Sequence, residues 1–243
     1  VLRAADAEAS QALVAAVDAS VARRGLRHVR ALVDARDTDS LGQLQDAGWQ
    51  VAWAFTRMVV EADRTPERPF PLLQEGFEVV ETTPDHLPAL EAITERLPSY
   101  NWIERDRMLP AAAREAYVRT RLRNCVLGDF ADVSVTLLHR GKPVGFNASA
   151  RRRHDDALFP DGRPPSAEDR PWDYTLERDT FVDPHSLPGC AWVLQRGVLA
   201  RLRPEVRYLT GRVRLEGTAM LRLLLPSGWY PTGGEFYLVR RRP

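Results

Sequence analysis

Two carboxylates and a histidine lie close together in a segment whose pattern predicts a strand followed by a turn. Glu177 and Asp179 are two residues apart on the predicted strand 174–184, so side-chain alternation predicts that both point to one face. A carboxylate whose pKa is raised by burial can accept a proton as a general base. The alternative is a solvated strand edge with Arg178 on the opposite face. His185 follows at the turn, where it could be a base, a phosphate contact or an ordinary loop residue.

A turn that contains glycine and proline comes next. The stretch "SLPGCA" (186–191) leads into a predicted helix that ends near residue 204. Helix N-termini bind anions such as phosphate, because their first N–H groups have no partner within the helix and the peptide dipoles are aligned. Pro188 removes one possible donor. The segment is therefore either a phosphate-binding turn or a plain turn into a helix.

The remaining pattern predicts two folded segments joined by a linker. Residues 1–62 predict helix, strand, helix, strand, and residues 63–75 form a proline-rich linker. Residues 76–243 predict the order β-α-α-β-β-β-α-β-α-β, with a hairpin at Arg140-Gly141 and a long polar loop over 154–173. This order predicts an α/β (α+β) fold in which helices flank a mostly antiparallel mixed sheet.

Composition excludes several classes of function. The 243 residues can bury one large or two small cores, and 34 basic against 33 acidic residues provide no basic surface for nucleic acid. Two cysteines are too few for a disulfide framework or a zinc site, and no metal is expected. No apolar run approaches the roughly 18 residues of a membrane span, and none is typical of a signal peptide. We therefore expect a cytoplasmic protein without membrane or nucleic-acid partners.

One stretch of the sequence occurs twice. "LEGTAMLRLLLPSGWYP" (215–231) matches "ARDTDSLGQLQDAGWQV" (35–51) without a gap, at a constant offset of 180 residues. The identical residues are Thr38 and Thr218, Leu41 and Leu221, Leu44 and Leu224, Gly48 and Gly228, and Trp49 and Trp229. The match predicts two copies of one structural unit.

The order of elements over 76–243, which closes on a helix ending in Gly-Trp and a final strand, resembles the GCN5-related N-acetyltransferase (GNAT) superfamily. "RDTFVDP" (178–184) is similar to the fourth strand of that fold. Residues 1–62 resemble the C-terminal half of a second such domain. The layout resembles tandem members such as the TDP-fucosamine acetyltransferase and mycothiol synthase groups. The resemblance implies a GNAT fold with a partial N-terminal half-domain (1–62), a linker (63–75) and a complete, candidate catalytic domain (76–243).

The resemblance also implies a reaction and its participants. Acetyl-CoA or another acyl-CoA would donate an acyl group to a small-molecule amine, such as an amino sugar or an intermediate of antibiotic tailoring, in a monomer or homodimer. The catalytic candidates are Glu177, Asp179 and His185. The candidates for CoA binding are Phe181, Val182, Ser186, Gly189, Cys190 and Ala191. The acceptor candidates are Trp102, Glu104, Asp106 and Tyr174; for the first three, a turn with one packed tryptophan is the alternative.

Three positions depart from the pattern of the superfamily. Ser186 replaces the cation or amide that opens the CoA loop, Leu224 stands where members carry a tyrosine aimed at the departing sulfur, and Gly217 replaces a nearby asparagine. Three hypotheses therefore stay open. The chain is an ordinary acyl-CoA enzyme, an enzyme for a long-chain or unusual acyl donor on, for example, a glycopeptide-type acceptor, or a degenerate binding module. The N-terminal copy has no glycine-rich loop, so we expect it to serve packing or the acceptor, and the abrupt start at Val1 suggests missing sequence.

Overall fold

A computed structural model of the chain describes residues 7–26, 28–63, 76–97, 103, 109–153, 172–215 and 217–241. The helices in this part of the chain are α1 (Ala7–Arg23), α2 (Thr38–Asp46), α3 (Leu87–Arg96), α4 (Ala111–Val126), α5 (Cys190–Leu202) and α6 (Thr218–Leu224). The strands are β1 (His28–Asp34), β2 (Gln50–Glu61), β3 (Phe77–Glu81), β4 (Val133–His139), β5 (Lys142–Arg152), β6 (Trp172–Val182), β7 (Val206–Arg214) and β8 (Tyr230–Arg241). The predicted α+β order is confirmed, and the chain divides into two compact units.

The larger unit comprises Val59–Gly211 and Leu221–Tyr230. Its strands lie in the order β7-β6-β5-β4-β3, with β6 and β7 parallel and the printed pairs from β6 to β3 antiparallel. The β4–β5 hairpin turns at Arg140 and Gly141, whose φ values of 50° and 75° are those of a tight two-residue turn. The sheet of this unit is therefore mixed and mostly antiparallel, as expected.

Helices cover both faces of this sheet. The buried residues of α4 recur at helical spacing and pack with α3, β5 and β6 in one core, which contains Leu90, Ile93, Leu122, Cys125, Phe146, Ala148 and Phe181. Helix α5 packs on the opposite face, where a side chain at Gly197 would collide with Val79 of β3. The parallel β6–β7 pair and the turn after β6 are thus held on a rigid, doubly covered sheet.

The smaller unit comprises Val1–Met58, Arg212–Met220 and Pro231–Pro243. Its strands lie in the order β1-β8-β2, and β1 and β8 pair antiparallel from His28 opposite Arg241 to Asp34 opposite Glu235. Asp37 caps α2 by accepting a hydrogen bond from the Ser40 N–H at 3.0 Å. The core of the unit contains Val33, Leu44, Trp49 and Leu238. The domain boundaries expected from the sequence stay a prediction, and residues 64–75 of the linker lie outside the described residues.

Backbone hydrogen bonds recur at the offset of the sequence repeat. Strands β2 and β8 begin, and also end, 180 residues apart. In the smaller unit, Ala35 N–H donates to Gly234 O and Leu215 N–H donates to Ala54 O, and these two bonds exchange partners at the same offset. The turns after α2 and α6 also share two bonds, from Trp49 N–H to Leu44 O and Gly48 N–H to Gln45 O, and from Trp229 N–H to Leu224 O and Gly228 N–H to Leu225 O.

No helix in the described ranges is long and apolar enough to cross a membrane.

Candidate active site

The parallel strands β6 and β7 separate partway along their length. Their register runs from Trp172 opposite Val206 to Leu176 opposite Thr210, where the Thr210 hydroxyl donates to Thr175 O at 2.5 Å. Both strands continue beyond this point, and β6 stays paired with β5 as far as Val182. An opening along the edge of β6 therefore begins directly after Leu176.

Glu177 lies at the start of this opening, next to Gly211 of β7. A Cβ atom placed on Gly211 would lie 2.7 Å from Oε2 of Glu177 and 3.7 Å from the Trp229 ring. Such a distance to the carboxylate oxygen is well inside van der Waals contact, so a side chain here would collide with it. Glycine at position 211 thus makes room for a half-buried carboxylate at the point where the strands separate.

A β-bulge turns Glu177 and Asp179 to different faces of the sheet. Ala148 pairs with Asp179, and the next residue of β5, Ser149, pairs with Glu177, so Arg178 is the extra residue. Paired residues share a face. Ala148 lies in the core under α3 and α4, which puts Asp179 there and Glu177 on the other face with Ser149. The prediction that both carboxylates share one face is therefore wrong, because it assumed an uninterrupted strand.

Asp179 is engaged by α4. Its carboxylate accepts a hydrogen bond from Nε of Arg121 at 3.3 Å, and the same guanidinium donates to the carbonyl oxygen of Arg178. Burial opposes the charge on Arg121, but the Asp179 carboxylate outweighs it and raises the pKa of Arg121 above its ordinary value. Burial, reinforced by Asp179, raises the pKa of the neighbouring Cys125 to about 12, so this thiol stays protonated.

His185 and Ser186 lie in a turn organised by Asp183. The Asp183 carboxylate accepts hydrogen bonds from the His185 N–H at 3.0 Å and from Nη2 of Arg96 at 2.6 Å. Partial burial opposes ionisation, but these bonds hold the pKa of Asp183 below its ordinary value. The Ser186 hydroxyl donates to Asp183 O at 2.6 Å, and the His185 side chain is exposed. The turn is therefore rigid, and the imidazole faces solvent.

Helix α5 begins directly after this turn. Its N-cap is Gly189, whose φ of 94° favours glycine, and Trp192 N–H donates back to Gly189 O at 2.9 Å. Cys190 N–H donates to Leu187 O at 3.3 Å, and its side chain is buried. In the part of the chain that the structure describes, the N–H groups of Gly189 and Ala191 donate to no protein acceptor. Two donors are therefore available to an anion at this helix N-terminus.

The other predicted binding residues have different surroundings. Phe181 packs in the core against Phe146, with ring centroids 5.4 Å apart, so only its backbone can face a ligand in the opening. Val182 pairs with Gly145 at the end of β6. Tyr174 is buried with Val59 and Tyr208, in the paired part of β6 and β7. Trp102, Glu104 and Asp106 lie outside the described residues. The roles of all these residues stay predictions.

Leu224 lies where the resemblance places a tyrosine. It is buried and lines a cavity of about 10 Å³ together with Trp192, Gln195, Leu199 and Trp229. That volume holds about one water molecule. The indole Nε1 of Trp229 is buried and has no hydrogen-bond partner among the described residues. A hydroxyl is therefore missing from this position, and the small space beside it is lined mainly by apolar side chains.

Several residues that shape the site were missed in the sequence. Gly211 and Arg121 belong to this group, as does Asp183, which fixes the turn before α5. Two had a usable signal, because glycine inside a strand marks a close approach and Asp-Pro favours a turn. Nothing in the alternation of β6 indicated the bulge at Arg178.

No family model matches the sequence, and no curated protein is significantly similar to it. Solved structures do match. A functionally unknown conserved protein from Staphylococcus epidermidis is 10% identical, with 98% of this chain and 82% of that chain covered at a TM-score of 0.63. A tandem GNAT protein from the clavulanic acid biosynthesis pathway is 16% identical, with 98% and 69% covered at a TM-score of 0.56.

A GCN5-related N-acetyltransferase from Sphaerobacter thermophilus is 17% identical over 89% of this chain, which spans 60% of that protein's length, at a TM-score of 0.52. At these identities the likeness concerns the fold. The chain has the fold of the GCN5-related N-acetyltransferases, as the element order predicted.

Proposed function

We propose that this protein is an acyltransferase that moves an acyl group from acetyl-CoA or another acyl-CoA to the amine of a small molecule. The observation that carries the proposal is the opening between β6 and β7, with the Glu177 carboxylate at its start. The GNAT fold supports it, because the opening lies between the parallel strands of that fold. The catalytic unit would lie within residues 76–243.

The donor would bind along β6 and at α5. Beyond Leu176 the edge of β6 is no longer in register with β7, so an extended chain with amide groups could lie along it. The N–H groups of Gly189 and Ala191 would hold the pyrophosphate, supported by the helix dipole. Ser186 carries no charge, and its hydroxyl is already bonded to Asp183 O, so we expect the phosphate contacts to be mainly backbone.

Glu177 is the best placed of the three predicted bases. Asp179 faces the core in an ion pair with Arg121, and the His185 ring is exposed beyond the end of β6. In the proposed reaction the ammonium of the acceptor gives a proton to Glu177, and the amine nitrogen then attacks the thioester carbonyl carbon. The C–S bond breaks, an amide forms, and the thiolate takes up a proton. Since Leu224 has no hydroxyl, that proton would come from solvent or from Glu177 itself.

We propose an amino sugar or a natural-product intermediate as the acceptor. The fold likeness to a tandem GNAT protein of an antibiotic pathway supports this class, and the predicted acceptor residues Trp102, Glu104 and Asp106 await a test. We also propose that residues 28–61 and 208–241 are two copies of one unit. The conserved offset of strand ends and turn hydrogen bonds supports the repeat. The tandem types named from the sequence stay a prediction.

A binding module without catalysis is the second candidate. Leu224 in place of a tyrosine and the uncharged turn at Ser186 favour it. A long-chain donor has less support, because the cavity beside Leu224 measures about 10 Å³, far below the volume of an acyl chain.

The test is a calorimetric titration with acetyl-CoA, dodecanoyl-CoA and ADP, paired with thermal unfolding. A ligand that binds only the native state must raise its stability, so we expect acetyl-CoA to raise the melting temperature. ADP is the control for nonspecific anion binding. No stabilisation by either thioester at millimolar concentration would exclude acyl-CoA transfer. Binding without any thiol release, across a panel of amino sugars and diamines, would favour the binding module.

A further inference from the structure

The bulge in β6 decides which face of the sheet Glu177 occupies. Asp179 and Phe181 are two residues apart and both face the core under α3 and α4. In a regular strand the alternation would continue, and residue 177 would face the same core. A shift of one residue reverses every side chain beyond it. The extra residue Arg178 is therefore what places the Glu177 carboxylate in the opening.

One side chain from another element holds both sides of this bulge. The Arg121 guanidinium, on α4, donates to the carbonyl oxygen of Arg178 and to the carboxylate of Asp179. The Arg121 side chain is 20% exposed and that of Asp179 is 6% exposed, so water screens the ion pair weakly. Two successive residues of the strand are thus bound by one planar, charged group.

The guanidinium is itself fixed in place. Nη1 of Arg121 lies 3.4 Å from the hydroxyl of Tyr117, one turn earlier on α4. The Phe130 ring lies near both arginines, with its centroid 5.1 Å from Cζ of Arg121 and 4.5 Å from Cζ of Arg178. Cation–π contacts of this length attract both groups to the ring. We call Arg121, Asp179 and Phe130 the bulge clamp.

We propose that Arg121 is a positioning residue for the transfer reaction: it holds the bulge at Arg178 and thereby keeps Glu177 in the opening between β6 and β7. The inference rests on the proposed function for the role of Glu177. It assigns Asp179, a sequence-predicted base, to the clamp. Arg121 touches neither substrate nor reacting atoms in this account.

The test compares Arg121→Gln and Arg121→Lys with Arg123→Gln. Arg123 lies on the same helix, and its side chain is 57% exposed in an ion pair with Glu91, which makes it a matched control. Displacing a catalytic group by about 1 Å costs about 100-fold in rate, so we expect Arg121→Gln to lower kcat by roughly 10- to 100-fold. The KM for acetyl-CoA should stay within about threefold, because the donor site at α5 is untouched. Lysine lacks the planar fork, so Arg121→Lys should be intermediate.

A double-mutant cycle with Glu177→Gln separates positioning from general destabilisation. If Arg121 acts through Glu177, then Arg121→Gln should change kcat by less than about twofold in the Glu177→Gln background. Multiplicative losses in the double variant would overturn the proposal. Hydrogen exchange at residues 176–182 tests the clamp without any activity. Faster exchange in Arg121→Gln but not in Arg123→Gln is expected, and equal exchange in both variants would refute the clamp even if the protein proves not to be an enzyme.

Discussion

Replacing Gly211 with alanine adds one methyl group at the most sensitive point of the candidate site. The new Cβ would lie 2.7 Å from Oε2 of Glu177, so the carboxylate must move by about 0.5 Å or more to reach ordinary contact. Gly211 has a backbone conformation that alanine can adopt. The carboxylate is the end of a flexible side chain, so we expect the free energy of unfolding to change by less than about 1 kcal/mol.

Catalysis should respond much more strongly than stability. A displacement of this size should reduce kcat by roughly 10- to 100-fold, with little change in the affinity for acetyl-CoA. The assay combines thiol release from acetyl-CoA with chemical denaturation. Gly42→Ala is the matched control, because position 42 lies on α2 with no atom within 4 Å of its added Cβ. A Gly211→Ala variant that binds acetyl-CoA and turns over at the wild-type rate would refute the placement of Glu177.

Three further predictions follow from the described contacts. Hydrogen bonds from Arg36 lower the pKa of Asp34 to about 2, below the unfolded value, so this group stabilises the fold above pH 4 and loses its effect as the pH falls toward 2. The stability advantage of wild type over Asp34→Asn should thus shrink by about 1 kcal/mol over that range in acid denaturation, and a constant difference would contradict this assignment. Leu224→Tyr and Leu224→Phe should each lose about 1–3 kcal/mol in urea titrations, because the adjoining cavity is only about 10 Å³; only the tyrosine should raise kcat relative to phenylalanine, and equal rates would show that no hydroxyl is used there. Cys125, buried and with its pKa raised to about 12, should resist iodoacetamide at pH 8 until the protein unfolds, and labelling of the native protein would disprove its burial.

Much of the fold could be predicted because local signals and tertiary packing agree. The hairpin at Arg140 and Gly141, the cap at Asp37 and the ending of α6 at Gly228 each depend on a backbone conformation that few residues favour. The periodicity of α4 likewise matches its buried face. These features need only nearby residues, so the sequence pattern contains them.

The site itself depends on contacts that no local pattern contains. The bulge at Arg178 needs Arg121, which is 57 residues away, and alternation alone therefore put Asp179 on the wrong face relative to Glu177. The importance of Gly211 appears only when β7 lies beside β6. The candidate bases could be listed from the sequence, but their ranking required the sheet register.

The rate of thiol release from acetyl-CoA by wild type and Glu177→Gln, measured with a panel of amino sugars, tests the central claim most directly. A general base contributes about 100-fold or more, so the variant should lose at least that factor while its acetyl-CoA affinity stays unchanged. Glu78→Gln, an exposed position on β3, is the control. Equal rates for wild type and Glu177→Gln would contradict the account, because the opening between β6 and β7 would then contain no base.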